Sequence, residues 1–287
     1  MKREIKSAAL LAALAAGGLL RSQYEREHFV VEETRLYSPK LRQDRTLVFL
    51  TDLHDKEFGE ANVRLFDAVA AVRPDGILIG GDTMVVKPGR ASLESTKTLL
   101  AGLAAICPVY YGNGNHEQRL RRERDTYGGL YRDFRRLLKR YGVKYLSDSS
   151  AELGEDIRIS GLDIAEKYYR DFTPESMRKS YVRKHLGRAS RERYQILLAH
   201  SPLFFQAYKN WGADLTLAGH FHGGTIRIPW LGGVMTPQYQ FFMPCCAGTF
   251  EQEGRYLIVG RGLGTHSVNI RFCNKPQVVV LRLTNRE

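Results

Sequence analysis

Five short stretches of this chain stay apolar from one position to the next instead of alternating. They run from Thr46 to Thr51, Gly76 to Gly80, Pro108 to Tyr111, Gln195 to Ala199 and Asp214 to Ala218. Unbroken hydrophobicity over so few residues predicts strands buried on both faces. Between these runs the period lengthens. Asn62 to Val72 places Val63, Phe66, Val69 and Ala70 on one helical face and is stopped by Arg73-Pro74. Ser92 to Ala105 repeats the pattern, and Ser201-Pro202 opens another helix with proline at a tolerated first-turn position. Further on, Thr225 to Ile228, Tyr256 to Val259, Asn269 to Phe272 and Val278 to Leu283 read as short strands separated by Gly and Pro. The order predicts an α/β architecture in which two sheets meet around one core with helices outside.

Every one of the five buried strands runs into a polar motif. In chain order these are Asp52-Leu53-His54, Gly81-Asp82, Gly114-Asn115-His116, His200 and Gly219-His220-Phe221-His222. In open α/β sheets the carboxyl ends of strands are where sites form. Together the motifs supply three carboxylate or amide oxygens and five imidazoles, a hard and borderline set suited to two divalent cations. Taken singly, a histidine after a strand is usually a hydrogen-bonded structural residue, and an aspartate there usually caps a turn. The ordered set overrides those readings. At on the order of one in twenty per named position, its chance occurrence falls below roughly one in ten thousand.

These motifs resemble those of the calcineurin-like metallophosphoesterase superfamily: D-x-H, G-D, G-N-H-[DE], H and G-H-x-H. Glu117 supplies the acidic residue of the third. The resemblance runs from about Arg45 to Leu283. Within it, His222 to Pro229 and Gly260 to Thr265 are similar to a bacterial membrane-associated branch, the YaeI/YkuE-like phosphodiesterases. There the arginine of the last motif usually follows a proline, whereas this chain reads Ser267-Val-Asn-Ile-Arg271. The resemblance implies a two-sheet sandwich flanked by helices in four layers, holding two ions of Mn, Fe or Zn. It further implies hydrolysis of a phosphodiester or pyrophosphate by a metal-bridging hydroxide. Asp82 would bridge the ions, Asp52, His54 and His222 would complete one site, and Asn115, His200 and His220 the other. His116 would instead face the substrate as the catalytic residue that stabilises or protonates the leaving oxygen. Residues two apart on extended chain point the same way, so His220 and His222 are expected to reach one cleft. Glycines 81, 114 and 219 are expected where a Cβ would crowd the ions. His266, in the late Gly-rich motif, could approach the same cleft.

Composition then adds a surface. Lys and Arg number 43 against 31 Asp and Glu, a net charge of +12. The cations concentrate in Arg119 to Arg124, Arg132 to Arg140 and Arg178 to Arg193. They lack the aromatic interleaving of a base-stacking platform, which favours an anionic membrane surface over nucleic acid. Aromatic residues do gather at Tyr127, Tyr131, Tyr168, Tyr169 and Phe172, and again from Tyr239 to Phe242, as would suit an amphiphilic, lipid-linked phosphate. Cys107, Cys245, Cys246 and Cys273 form no Cys-x-x-Cys pair, which argues against a zinc finger or a disulfide scaffold.

The N-terminus points the same way. A basic start, Lys2-Arg3 with Lys6, precedes an unbroken small and apolar run from Ser7 to Leu20. At 1.5 Å per residue this run reaches about 21 Å, short of the roughly 30 Å hydrocarbon core. It matches a signal-peptide core or short anchor better than a full span, the bland alternative being an ordinary buried helix. Residues 1–40 are therefore read as an anchor or signal-like segment with its linker, and 41–287 as one catalytic domain. The positive start would stay in the cytoplasm and leave the enzyme outside it. Two other functions share the fold, a nuclease drawn by the net charge and a non-catalytic scaffold. A scaffold would be expected to have lost several ligands.

Overall fold

The computed structural model describes residues 2–169, 175–236, 239–265 and 269–286. One sheet is built from Val30–Tyr37 (β1), Arg45–Leu50 (β2), Gly76–Ile79 (β3), Val109–Gly112 (β4), Lys144–Leu146 (β5) and Gln277–Thr284 (β14). The other takes Ser149–Leu153 (β6), Ile157–Gly161 (β7), Tyr194–Leu198 (β8), Leu215–Ala218 (β9), Gly248–Gln252 (β12) and Arg255–Val259 (β13). A small ribbon pairs Arg227–Ile228 (β10) with Gly232–Gly233 (β11). The spatial orders are β1-β14-β2-β3-β4-β5 and β12-β13-β9-β8-β7-β6. β2 to β5 are parallel, as are β7, β8, β9 and β13.

Alternation along each strand builds the layers. Leu47 and Phe49 of β2 turn inward to meet Ile196, Leu198, Leu215 and Leu217 of the opposite sheet. Their neighbours Val48 and Leu50 turn outward, against Leu65 and Val69 of Val63–Val72 (α2) and Leu99 and Leu103 of Glu94–Ala104 (α3). On the far side Leu197 packs on Val182 and Tyr208, from helices Lys179–Leu186 and Phe205–Trp211. Helix, sheet, sheet, helix is the four-layer sandwich that the motifs implied.

Several local expectations are corrected. In α2 the buried residues are Leu65 and Val69, with Phe66 partly covered, while Val63 and Ala70 face solvent. Left-handed Asn62 (φ 67°) ends the approach to the helix and rotates its inner face by a residue or two. Thr225 to Ile228 shortens to β10, and Asn269 to Phe272 keeps only a single bridge, Ile226 to Phe272. Its Arg271 is pulled into the interior, 1 % exposed, and the strand is sacrificed. β1 lies within the 1–40 stretch yet pairs along its whole length with β14. Lys2–Glu27 forms a helix of 26 residues (α1). Its Leu10, Leu14, Leu19 and Leu20 are exposed, so it is no ordinary buried helix, whereas Ser22 and Glu25 are buried. No helix among the described residues is long and apolar enough to cross a membrane. Two positions on opposite sides of this division test it. Leu217→Ala, between the sheets, should cost about 2–5 kcal/mol in urea unfolding, and Leu14→Ala on α1 should stay within about 0.5 kcal/mol.

Candidate metal centre

Asp52 follows β2, Asp82 follows β3, Asn115 follows β4, His200 follows β8, and His220 and His222 follow β9. The carboxyl ends of two parallel strand sets therefore converge on one point. Backbone bonds between the motif loops extend the sheets there: Asp52 N–H donates to Gly81 O (3.0 Å), His54 N–H to Asp82 O (3.1 Å) and Gly219 N–H to His200 O (3.0 Å).

The cluster has two halves. His54 Nε2 lies 3.1 Å from His222 Nε2, and His222 Nε2 lies 3.3 Å from Asp52 Oδ1. In the other half His200 Nε2 lies 3.2 Å from Asp82 Oδ2, with the His220 ring 5.1 Å away centre to centre. Asp82 Oδ2 is also 3.8 Å from His54 Nε2, so its carboxylate stands between the halves. Asp52-His54-His222 and Asp82-His200-His220 each bring one ligand atom per residue within 4.8 Å of one another, and so do His54, Asp82 and His116. Asn115 Oδ1 is buried and makes no hydrogen bond among the described residues. An amide oxygen held dry in this way suits a cation, and the donors are all nitrogen and oxygen, so the residues present fit hard and borderline divalent ions.

Ring orientation is fixed from behind. His200 Nδ1 donates to Gly80 O (2.8 Å) and His222 Nδ1 to Gly264 O (3.1 Å), turning both Nε2 atoms inward. His116 is held in the opposite sense. Its Nδ1 accepts the Val86 N–H (2.7 Å), leaving Nε2 to carry the proton and face the cleft. Burial lowers His116 further, so the ring is a neutral Nε2–H donor. Burial also lowers His54, and it lowers His220 to about 3. His200 goes the other way: burial opposes its charge, but the Asp82 and Asp52 carboxylates outweigh that and raise it to about 10. Burial alone would raise Asp82, yet His200 and His116 hold it well below the usual carboxylate range.

The motif backbone is strained. Asp52 (φ 53°), His54 (48°), Asp82 (53°), His220 (69°) and His222 (51°) all occupy the left-handed region, which non-glycine residues avoid. His220 and His222 therefore do not reach the cleft by extended-chain alternation; each is turned there by its own left-handed kink. His220 N–H in turn donates to both Asp52 oxygens (3.2 and 3.1 Å). A Cβ on Gly114 would overlap Asp82 Oδ1, and one on Gly219 would overlap Asp52 Oδ2.

Four supports were invisible as chemistry in the sequence. Glu117, fully buried, accepts the N–H groups of Asp82 (2.9 Å), Thr83 (3.0 Å) and Gly114 (2.9 Å) and the Tyr111 hydroxyl (2.7 Å). One carboxylate thus ties two motif loops together, and its place after Gly-Asn-His was the only clue. Arg271 donates to the carbonyls of Arg261 (2.9 Å), Gly262 (3.1 Å) and Gly264 (2.7 Å), and the last of these also accepts from His222. Asn274 Nδ2 donates to His222 O (2.8 Å). Glu25 of α1 then accepts the N–H groups of Cys273 (3.1 Å) and Asn274 (2.7 Å). The helix that looked like an appendage braces the His222 loop.

Elsewhere, Asp55 accepts the Val85 N–H (3.0 Å) behind the site, and His185 pairs with Asp148 (2.7 Å) away from it. His266 and Phe172 lie outside the described residues. Several basic side chains are paired, Arg121 with Asp163 (2.8 Å), Arg122 with Glu166 (3.1 Å) and Arg136 with Asp133 (2.9 Å). Removing the Glu117 clamp leaves three backbone donors dry. Glu117→Ala should therefore lose about 3 kcal/mol or more in urea unfolding, and an unchanged midpoint would show that the clamp is dispensable.

A family model described as calcineurin-like phosphoesterase matches residues 45–224. The chain is 34% identical over 98 residues to the uncharacterized metallophosphoesterase YkuE of Bacillus subtilis, 34% of each chain. It is 24% identical over 241 residues to the Escherichia coli phosphodiesterase YaeI, covering 83% of this chain and 81% of that one. To the UDP-2,3-diacylglucosamine pyrophosphatase LpxG of Chlamydia trachomatis it is 28% identical over 156 residues, 51% of this chain and 43% of that one. The chain thus spans less than half the length of YkuE and of that LpxG. With the family motifs gathered into one buried cluster, the chain belongs to the calcineurin-like phosphoesterase family.

Proposed function

We propose that the chain hydrolyses a phosphodiester or pyrophosphate bond of a lipid-linked substrate at a membrane surface, with two divalent ions of Mn, Fe or Zn. One observation carries the dinuclear reading: the Asp82 carboxylate stands between two groups of ligands, 3.2 Å from His200 and 3.8 Å from His54. Asp52, His54 and His222 would hold one ion, Asn115, His200 and His220 the other, and Asp82 both. When bound, such a pair neutralises phosphoryl oxygens and makes hydroxide available near neutral pH. The chain supplies the rest. His116, fixed as an Nε2–H donor by Val86, is placed to hydrogen-bond the leaving oxygen and stabilise the charge that develops on it.

The lipid-linked part rests on different grounds. LpxG is named for a diacylated nucleotide-sugar pyrophosphate and YaeI for a phosphodiester. In this chain Phe241 and Phe242, in the segment that follows His222, are exposed and do not pack under a strand. An aromatic rim beside a phosphate-cleaving centre suits an acyl chain attached to the phosphate. In this reading α1 lies along the membrane surface, with the basic start Lys2, Arg3 and Lys6 drawn to anionic headgroups.

The test compares two substrates under added manganese, bis(p-nitrophenyl) phosphate and a diacylated nucleotide-sugar pyrophosphate. Metal-dependent turnover of both is expected, faster on the lipid, with Asp82→Ala reduced by about a thousandfold or more. Turnover that ignores metal and survives Asp82→Ala would refute the site. Turnover of the soluble diester alone would refute the lipid-linked substrate.

A further inference from the structure

The ribbon that follows His222 leaves an apolar face uncovered. Arg227 N–H donates to Phe272 O (2.9 Å), Val234 N–H to Ile226 O (2.8 Å) and Phe242 N–H to Val234 O (2.9 Å). These bonds join residues 270–272, 226–234 and 241–242 into one strip. Alternation sorts its side chains. Arg271 points inward, while Ile270 and Phe272 on either side of it are exposed. Arg227 is half-buried and bonds Gly223 O (2.8 Å), while Ile226 and Ile228 beside it are exposed. Because Ile226 bridges Phe272, all four apolar side chains share one face. At the hairpin tip Trp230 is fully exposed and Leu231 is 59 % exposed.

An apolar face with a bare tryptophan at its tip is unusual on a soluble monomer and marks an interaction surface. Its charge says with what. No Asp or Glu occurs from Leu215 to Phe250 or from Gly254 to Arg286, while Arg227, Arg255, Arg261, Arg271 and Lys275 lie in those stretches. Of these Arg271 is buried, Arg261 pairs with Glu32 and Arg255 with Asp214. That leaves a strip with no acid of its own, Arg227 and Lys275 beside it and an indole at its tip, as suits the headgroup boundary of an anionic bilayer. The face also continues into α1. Arg271 N–H donates to Ser22 Oγ (3.1 Å), which docks α1, with its exposed Leu19 and Leu20, on the strip's backbone.

We propose that this strip, with Trp230 and Leu231 as its leading edge, inserts into the interface of an anionic phospholipid bilayer. The proposal deepens, and rests on, the reading of a lipid-linked substrate. His222 lies four residues before Ile226, so docking by this face would bring the ligand cluster to the membrane surface where such a substrate is held.

The experiment uses the full chain loaded with manganese and vesicles of phosphatidylcholine with and without phosphatidylglycerol. Co-sedimentation should favour the anionic vesicles. Trp230→Ala with Leu231→Ala should weaken that partition about tenfold or more, while hydrolysis of bis(p-nitrophenyl) phosphate is unchanged. In a Trp211→Phe background the remaining Trp230 should shift its emission to the blue on vesicles and be quenched by acyl-chain-brominated lipid. Equal partition of the double variant and the parent would overturn the proposal. So would an unquenched Trp230, or a dimer in sedimentation equilibrium that the double variant dissociates. Soluble diester turnover is read separately. Its absence in the parent would sink the hydrolase reading, and the vesicle arms would still judge the surface by themselves.

Discussion

Two aspartates buried from solvent sit among five histidines, and the molecule is arranged around making that tolerable. A buried carboxylate is costly unless charge and hydrogen bonds surround it. Asp52 and Asp82 receive both. Thr51 Oγ1 (2.8 Å) and His220 N–H donate to Asp52, His116 N–H (2.9 Å) donates to Asp82, and His200 and His222 lie within 3.3 Å of one or the other. A divalent ion in each half would complete the same compensation with more charge than imidazole can bring. The left-handed backbone at five of these positions follows from the demand. Loops leaving two sheets must turn back within one or two residues to bring all the ligands to one point, and the strain is carried by the bonds behind them.

Those bonds form a second layer in which every member is buried and none is a ligand. Glu117 gathers the loops after β3 and β4, while Arg271 and Asn274 hold the loops after β13 and β9. Burial pulls the Arg271 guanidinium below its ordinary value, and the Asp52 carboxylate opposes that pull. A charge placed there with only backbone carbonyls as partners marks a site where loop position matters more than stability. Through Ser22 and Glu25 the same network reaches α1. Catalytic loop and N-terminal helix are therefore one mechanical unit, although their sequences look unrelated.

The legible part of the sequence was the part governed by local rules. Leu47 to Leu50 and Ile196 to Leu198 are covered on both faces, so their hydrophobicity is continuous and a strand can be read directly. The ligands sit at the ends of those strands, and their order is enough to place them. β1 escaped because it is an edge strand: Glu32, Glu33 and Arg35 face solvent, Glu32 pairing with Arg261 and Glu33 with Arg282 and Arg35, so no apolar run marks it. Asn274 and Glu25 escaped because their partners lie about fifty to two hundred and fifty residues away, where no periodicity reaches. Arg271 escaped because its partners are backbone carbonyls of a loop, which carry no sequence signal. Asn269 to Phe272 misled for a related reason. Its alternation was real, but Arg271 and not the isoleucine takes the inner side.

A carboxylate shared between two ions, as proposed for Asp82, would set the stoichiometry of metal uptake. Calorimetric titration of the metal-free chain with manganese reads it directly. Two ions per chain are expected, falling to one or none in Asp82→Ala. The site also fixes the pH dependence. In the metal-free state His200, raised to about 10, holds a proton that the incoming ion must displace, so affinity should fall as pH is lowered, by about tenfold per unit for each proton released. A single ion per chain whose uptake is indifferent to both Asp82→Ala and pH would contradict the account.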